Sequence, residues 1–290
     1  MQINRNPLFM KEENGYVCCD LCHNNCKIES GKFGLCRVRG NKAGESIIPF
    51  YGFVSAIAID PIEKKPLYHF KPGSRIFSLG FAGCNLYCPF CQNWRISQSI
   101  DINALSTMGK WMLPEKIISA AITHNSPSIA YTYSEPLIHI EFILDCMRLA
   151  HKHGIANVLV TNGCIKEKAA AEILKYTDAA NVDLKCFSQE TYKKILGGDL
   201  QTVLDFITLC YKMNVHLEVT TLVVPNLNDS KDELNAAADF IAGLDREIPW
   251  HLTAYHPDYR WDTPRTNPGF LLTTAKEMEK KLRYVHTGNI

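Results

Sequence analysis

From Arg75 onward the chain alternates apolar runs with amphipathic stretches, and no other feature restricts its fold as much. The runs RIFSLGF (75–81), SIAYTY (128–133), IANVLVTN (155–162), AANVDL (179–184), VHLEVTTLVV (215–224) and WHLTAY (250–255) read as strands. Helical patterns occupy 114–123, 137–152, 166–176, 200–213 and 229–242, with a last one at 272–282 before a short RYVHT strand. Pro114 and Pro136 suit the first turn of two helices, and Asp229 is a candidate N-cap for another. Such units build parallel βαβ layers. The expected class is α/β, and six units fit a partial (β/α)6 barrel of TIM type or a doubly wound sheet. Both gather chemistry at the C-terminal ends of their strands.

The first 74 residues have another texture, rich in Cys, Gly and charge, with one plausible strand pair around IIPFYGFVSAIAI. We expect a small cysteine-rich N-terminal metal-binding appendage and its connector over 1–74, and the barrel over 75–290. A net charge of +1 gives no push toward nucleic acid or an anionic membrane. No apolar run approaches the ~20 residues of a membrane span. The start, MQINRNPLFMKEENGY, has no apolar stretch of the kind a secretory signal carries. Twelve cysteines in such a chain point to the reducing cytoplasm, where thiols serve metals or catalysis rather than disulfides.

Three of those cysteines, Cys84, Cys88 and Cys91, fall in GCNLYCPFCQNW just after the first strand. A structural metal ion asks for four ligands and a disulfide for two. Three thiolates on one tight loop suit an iron–sulfur cubane with one iron left open. Zinc completed by a distant ligand is the competing reading. A second set, Cys19, Cys22, Cys26 and Cys36, places four thiols within eighteen residues, with Cys18 as a spare. Four thiolates accept zinc, a single iron or a second [4Fe–4S] cluster, and a small appendage with little core gains from such a staple.

Polar groups also collect after the later strands, in SEP (134–136), TNGC (161–164), DLKC (183–186), VPNLND (224–229) and YHPDY (255–259). The segment DPIEKKPLYHFKPG, with Asp60, Glu63, Lys64, Lys65 and His69, reads as a solvated connector or as a lid over the barrel mouth.

CNLYCPFC resembles the signature of the radical S-adenosylmethionine (SAM) superfamily. More widely, CDLCHNNC, GKFGLCRVRG, DPIEKKPLYHFKPGSRIFSLGFAGCN and CQNWRISQ resemble the AmmeMemoRadiSam-system radical SAM enzymes, relatives of the activating enzymes of glycyl-radical enzymes. Members of that group usually continue past GNI into a short cysteine-containing tail, and this chain ends at Ile290. The resemblance implies a [4Fe–4S] cluster on Cys84, Cys88 and Cys91 whose fourth iron is chelated by SAM. It further implies a low-potential reductant such as flavodoxin or ferredoxin.

Carried over residue by residue, Phe90 matches the aromatic position packed against adenine. Ser134, Glu135 and Pro136 match a Gly-Gly-Glu-Pro motif that binds the SAM amino group, with Tyr133 and Ser134 in place of the glycines. Asn162, Asp183 and Lys185 match turns that face the SAM carboxylate, ribose or substrate, and His256 a histidine near the ribose. Thr220 stands where the activating enzymes carry an arginine. Cys164 and Cys186 are candidate hydrogen-atom donors to a substrate radical, against a plainer role as small buried apolar groups. The Tyr87 phenolate is a candidate for the open iron. The implied activity is reductive cleavage of SAM, followed by hydrogen abstraction from an unidentified substrate, with a protein among the candidates. The alternative is a non-catalytic iron–sulfur or zinc protein for electron transfer or partner binding.

Overall fold

The structure, a computed structural model, describes residues 5–98 and 109–290. The N-terminal part contributes β1 (Met10–Glu13), β2 (Tyr16–Cys19) and β3 (Lys27–Ile28) as an antiparallel sheet, then the hairpin of β4 (Gly40–Lys42) and β5 (Glu45–Ile47). After β6 (Phe53–Val54) come β7 (Ala56–Pro61), β8 (Arg75–Gly80), β9 (Lys110–Trp111), β10 (Ser128–Thr132) and β11 (Ala156–Thr161). The last four are β12 (Ala179–Asp183), β13 (His216–Val223), β14 (Trp250–Ala254) and β15 (Val285–Gly288).

One eight-stranded sheet dominates, in the order β15-β14-β13-β12-β11-β10-β8-β7. All neighbours pair in parallel except β7, which runs antiparallel to β8 from Ala56↔Gly80 to Pro61↔Arg75. The sheet follows chain order, as a partial barrel does, with no reversal point of the kind a doubly wound sheet has. β10 is buried along its whole length, as parallel strands covered on both faces must be. The six strands expected from the pattern are present, and the RYVHT run adds β15 as a seventh parallel member. The sheet therefore begins at Ala56, ahead of residue 75.

The helices follow the apolar periodicity, with two differences at their starts. Ser230, not Asp229, caps Lys231–Leu244, its hydroxyl accepting from Glu233 N–H at 3.2 Å. Asp229 instead accepts from Asn226 N–H at 3.0 Å, tightening the turn before the cap. The last helix starts at Pro268, four residues earlier than expected, behind an Asn267 cap.

The connector is solvated along only part of its length, at Lys64, Tyr68, His69 and Lys71 to Gly73, and it lies beneath the barrel rather than over its mouth. Ile62 and Leu67 pack on Ile76, Ala130, Val158 and Ala179, which lie in the N-terminal halves of their strands, so the segment plugs the barrel floor. Strand side chains hold it there. Asn181 Nδ2 donates to Pro66 O at 2.7 Å, and the Glu218 carboxylate accepts Tyr68 N–H and His69 N–H at 3.0 and 2.8 Å. His216 and His251 reach the same carboxylate, and together these donors hold Glu218 at about 2 against the upward push of burial. Lys65 is buried because Asp60 Oδ2 receives it at 2.7 Å.

A second junction joins the appendage to the barrel wall. Arg39 pairs with Glu141 on helix Ile140–Lys152, both side chains 2 % exposed and 2.9 Å apart. Gly83, at φ +84°, passes so close that a Cβ there would stand 2.5 Å from Cys36 O.

Candidate functional site

At the C-terminal end of the strands lies a cavity of about 470 Å³, within the size range of ligand pockets. Cys84, Cys88 and Cys91 line one side of it. Phe90, Ser134, Asn162, Asp183, Lys185 and Thr220 contribute to the remaining wall. The connector closes its floor through Glu63, Lys64, Pro66 and Tyr68.

Among the described residues, no three His, Cys, Asp or Glu side chains are gathered to hold a single metal ion. The three thiols instead line one side of the open cavity, which leaves room for a group larger than a single ion. Burial pushes the Cys88 thiol up to about 12 and the Cys84 thiol well above its ordinary range. Coordination to iron is what would displace those protons. Lys185 Nζ, 3.1 Å from Asp183 Oδ2, pulls Cys88 the other way. Burial alone would lower the Lys185 ammonium, but Asp183 and then Cys88 raise it, so it stays charged beside the thiols. Thr220 Oγ1 is buried at the cavity wall with no hydrogen-bond partner among the described residues. Three thiols that become anionic on coordination, a fixed ammonium and an unspent hydroxyl fit a cluster with a zwitterionic ligand.

Glu135 is not part of the wall. Its carboxylate is fully buried and spent on its own following turn and the neighbouring strand: Leu137 N–H and Thr161 Oγ1 donate to Oε1 at 2.9 and 2.7 Å, and Asn162 N–H to Oε2 at 2.9 Å. Burial pushes its carboxyl to about 7, with those donors opposing. It shapes the 161–163 turn and makes no contact with the cavity. Asn162 Nδ2 then donates to Asn85 Oδ1 at 2.9 Å and lies 3.7 Å from Cys84 Sγ. His256 stands exposed at the rim, tied to Gln92 at 2.9 Å. Phe90 is buried, its ring near perpendicular to that of Trp261.

Cys164 and Cys186 do not line the cavity, so neither thiol is placed to give a hydrogen atom to a radical formed there. Cys164 Sγ turns to His23 Nδ1 at 3.0 Å, and Cys186 Sγ to Ser188 O at 3.7 Å. Tyr87 likewise points away from the thiols, half-exposed and packed on Gly197, whose φ of +65° leaves no room for a Cβ under the ring.

Tyr133 and Ser134 follow β10 with left-handed backbone, φ +48° and +61°. For non-glycine residues this costs about 1–3 kcal/mol each. Alternation along β13 and β14 brings Thr220, Leu222, His251 and Thr253 to the cavity. Sequence reasoning passed over His251, though its strand position was the signal.

The four N-terminal thiols share a separate enclosed space of about 10 Å³ with Arg39 and Ile138. The Asn24 side-chain amide lies 3.7 Å from the Cys22 sulfur, and neighbouring backbone amides favour the thiolates of Cys22, Cys26 and Cys36. Burial nonetheless pushes Cys22 to about 12 and Cys36 to about 11. Arg39 Nε is buried there without a partner among the described residues. Cys18 faces Glu13 outside this space.

Residues 79–241 match the family model of the radical SAM superfamily. An uncharacterised protein of Methanocaldococcus jannaschii is 39% identical over 285 residues, covering 97% of this chain and 84% of its own length. The pyruvate formate-lyase-activating enzyme of Clostridium pasteurianum is 25% identical over 206 residues, 70% of this chain and 84% of that one. Among solved structures, QueE of Escherichia coli superposes with a TM-score of 0.53 at 13% identity, covering 81% of this chain and 92% of that one. SuiB of Streptococcus suis bound to S-adenosylmethionine gives 0.55 at 14% identity, over 72% of this chain and 51% of that one. These two likenesses bear on the fold alone. With three thiols on the loop after β8 and the family match running from that strand across the barrel, the chain belongs to the radical SAM superfamily and is related to its pyruvate formate-lyase-activating members.

Proposed function

We propose that Cys84, Cys88 and Cys91 hold a [4Fe–4S] cluster and that SAM occupies the cavity beside it. When bound, cluster and SAM supply a one-electron cleavage to methionine and a 5′-deoxyadenosyl radical, which takes a hydrogen atom from substrate. The observation that carries this reading is the convergence of the three thiols with Asp183, Lys185 and Asn162 on one cavity.

In this reading Lys185, kept charged by Asp183, receives the SAM carboxylate, and the free Thr220 hydroxyl adds a donor on the same wall. Ser134 and Asn162 border the amino group and sulfonium. Phe90 offers an apolar face for adenine, and His256 lies outward of it at the rim. The plugged floor keeps bulk water from entering beneath. The electron comes from a small low-potential protein of the flavodoxin or ferredoxin kind, in the cytoplasm. The substrate is a protein, a peptide or a small molecule, and the activating-enzyme relatives favour a protein. The four N-terminal thiols, which face one enclosed space, draw together on a second metal, zinc, a single iron or a second cluster.

Anaerobically reconstituted protein given SAM and dithionite should release 5′-deoxyadenosine, and Cys88→Ala should abolish it. No release from protein with a full cluster would refute the reading. Label transfer from deuterated candidates into 5′-deoxyadenosine identifies the substrate, and metal analysis of a Cys84/Cys88/Cys91 triple-Ala variant identifies the second metal.

A further inference from the structure

The left-handed pair Tyr133 and Ser134 does not hold its conformation unaided, because an L side chain at positive φ crowds its own backbone. Ser134 lines the thiol cavity, and its hydroxyl donates to Gly83 O. Tyr133 turns away, and its ring is captured by the connector. Lys65 Nζ donates to Tyr133 Oη at 3.0 Å and sits 4.5 Å from the ring centroid. Tyr133 Oη in turn donates to Asp60 Oδ2 at 3.2 Å, the same oxygen that receives Lys65 at 2.7 Å and Ser78 Oγ at 3.0 Å. Lys65 is 2% exposed and does not line the cavity, although its neighbours Lys64 and Pro66 do.

We propose that Lys65, locked on Asp60, is a positioning residue for the cavity's ligand: it grips Tyr133 and so holds the 133–134 turn in the shape that glycine would take freely. The connector that plugs the barrel floor thereby also sets the wall at the end of β10. The inference rests on SAM being that ligand. Lys65 touches no reacting group and acts only through Tyr133. A glycine at 133 should make Lys65 dispensable, because glycine reaches positive φ at no steric cost.

The test is a two-site cycle read as SAM dissociation constants of the anaerobically reconstituted protein. Lys65→Met and Tyr133→Phe should each weaken SAM binding by roughly 5- to 30-fold, the size expected when a strained backbone loses its support. Tyr133→Gly should bind SAM close to native strength, and Lys65→Met added to it should cost nothing more. Native affinity in Lys65→Met, or an equal loss in both backgrounds, overturns the proposal. A second reading needs no SAM. The Glu135 N–H donates to Gly83 O at 3.3 Å, and its hydrogen exchange should quicken in Lys65→Met and Tyr133→Phe. An unchanged rate also overturns the proposal. If native protein fails to bind SAM, the ligand reading falls, while exchange still decides whether Lys65 holds the turn. If Lys65→Met does not fold, Tyr133→Phe keeps the Lys65–Asp60 pair, removes one hydroxyl, and carries both measurements.

Discussion

Glu135 and Asn162 join the ends of two neighbouring strands: the carboxylate after β10 accepts the Asn162 N–H after β11 at 2.9 Å, while the Asn162 side chain reaches Asn85 in the cysteine loop. The motif glutamate thus acts from behind the wall, holding the turn that holds the loop.

Glu135→Gln would turn one acceptor into an amide donor facing a donor. With a buried N–H or hydroxyl left unmatched, the protein should lose about 1–3 kcal/mol of stability. Urea unfolding measures this, and SAM affinity should fall with it. Retained stability would mean the turn does not depend on the carboxylate.

Lys185 is the ammonium that stands beside the cysteine loop, Lys64 being the other cationic side chain on the cavity among the described residues. Lys185→Met should raise KM for SAM by about tenfold or more, the loss of one charge-assisted contact. It also leaves Asp183 unpaired, so Asp183→Asn/Lys185→Met separates repulsion from lost attraction. If the double variant recovers KM, Lys185 serves only to neutralise Asp183.

His139 is buried, with Nε2 2.7 Å from Ala82 O, and burial holds its imidazole down at about 4. Unfolded, it titrates near 6.5. Between those values the unfolded chain binds the extra proton, so stability falls as pH drops from about 6.5 toward 4, by on the order of 2–3 kcal/mol. Glu135, held up at about 7, works in the opposite sense over much of the same range, so the His139 effect is read as a difference: from pH 7.5 to 5 the urea midpoint of the native protein should fall relative to that of His139→Gln.

Gly197 should not tolerate a side chain. A Cβ there would lie 2.0 Å from the Tyr87 ring at φ +65°. Gly197→Ala should cost about 1–3 kcal/mol through strain and overpacking. Removing the ring as well, in Gly197→Ala/Tyr87→Ala, should recover the steric part only, and thermal unfolding compares the two.

The parallel sheet was legible because its signal is local: each buried strand is a short apolar run, and each helix repeats on its own period. The cysteine loop was legible for the same reason, its ligand types lying within eight residues. Side-chain direction was not. TNGC and DLKC put Cys164 and Cys186 at strand ends, but the turns swing both thiols behind the wall, to His23 and Ser188. The charged segment PIEKKP looked like solvated linker because the partners that bury Lys65, Asp60 and Tyr133, converge only once β7, β8 and β10 are side by side. Ser230 lost the cap to Asp229 on paper because both residue types cap well, and only the backbone register separates them.

The antiparallel strand β7 makes the chain indivisible at the place where its composition changes. A truncated protein beginning at Arg75 would bare the full length of β8, a flat row of unpaired amides and carbonyls flanked by apolar side chains, and would open the barrel from below. Such a fragment should self-associate through that edge rather than persist as a smaller enzyme. The connector strand, unlike the cysteine-rich stretch before it, is therefore part of the barrel itself: a chain without it would need another strand to guard the same flank.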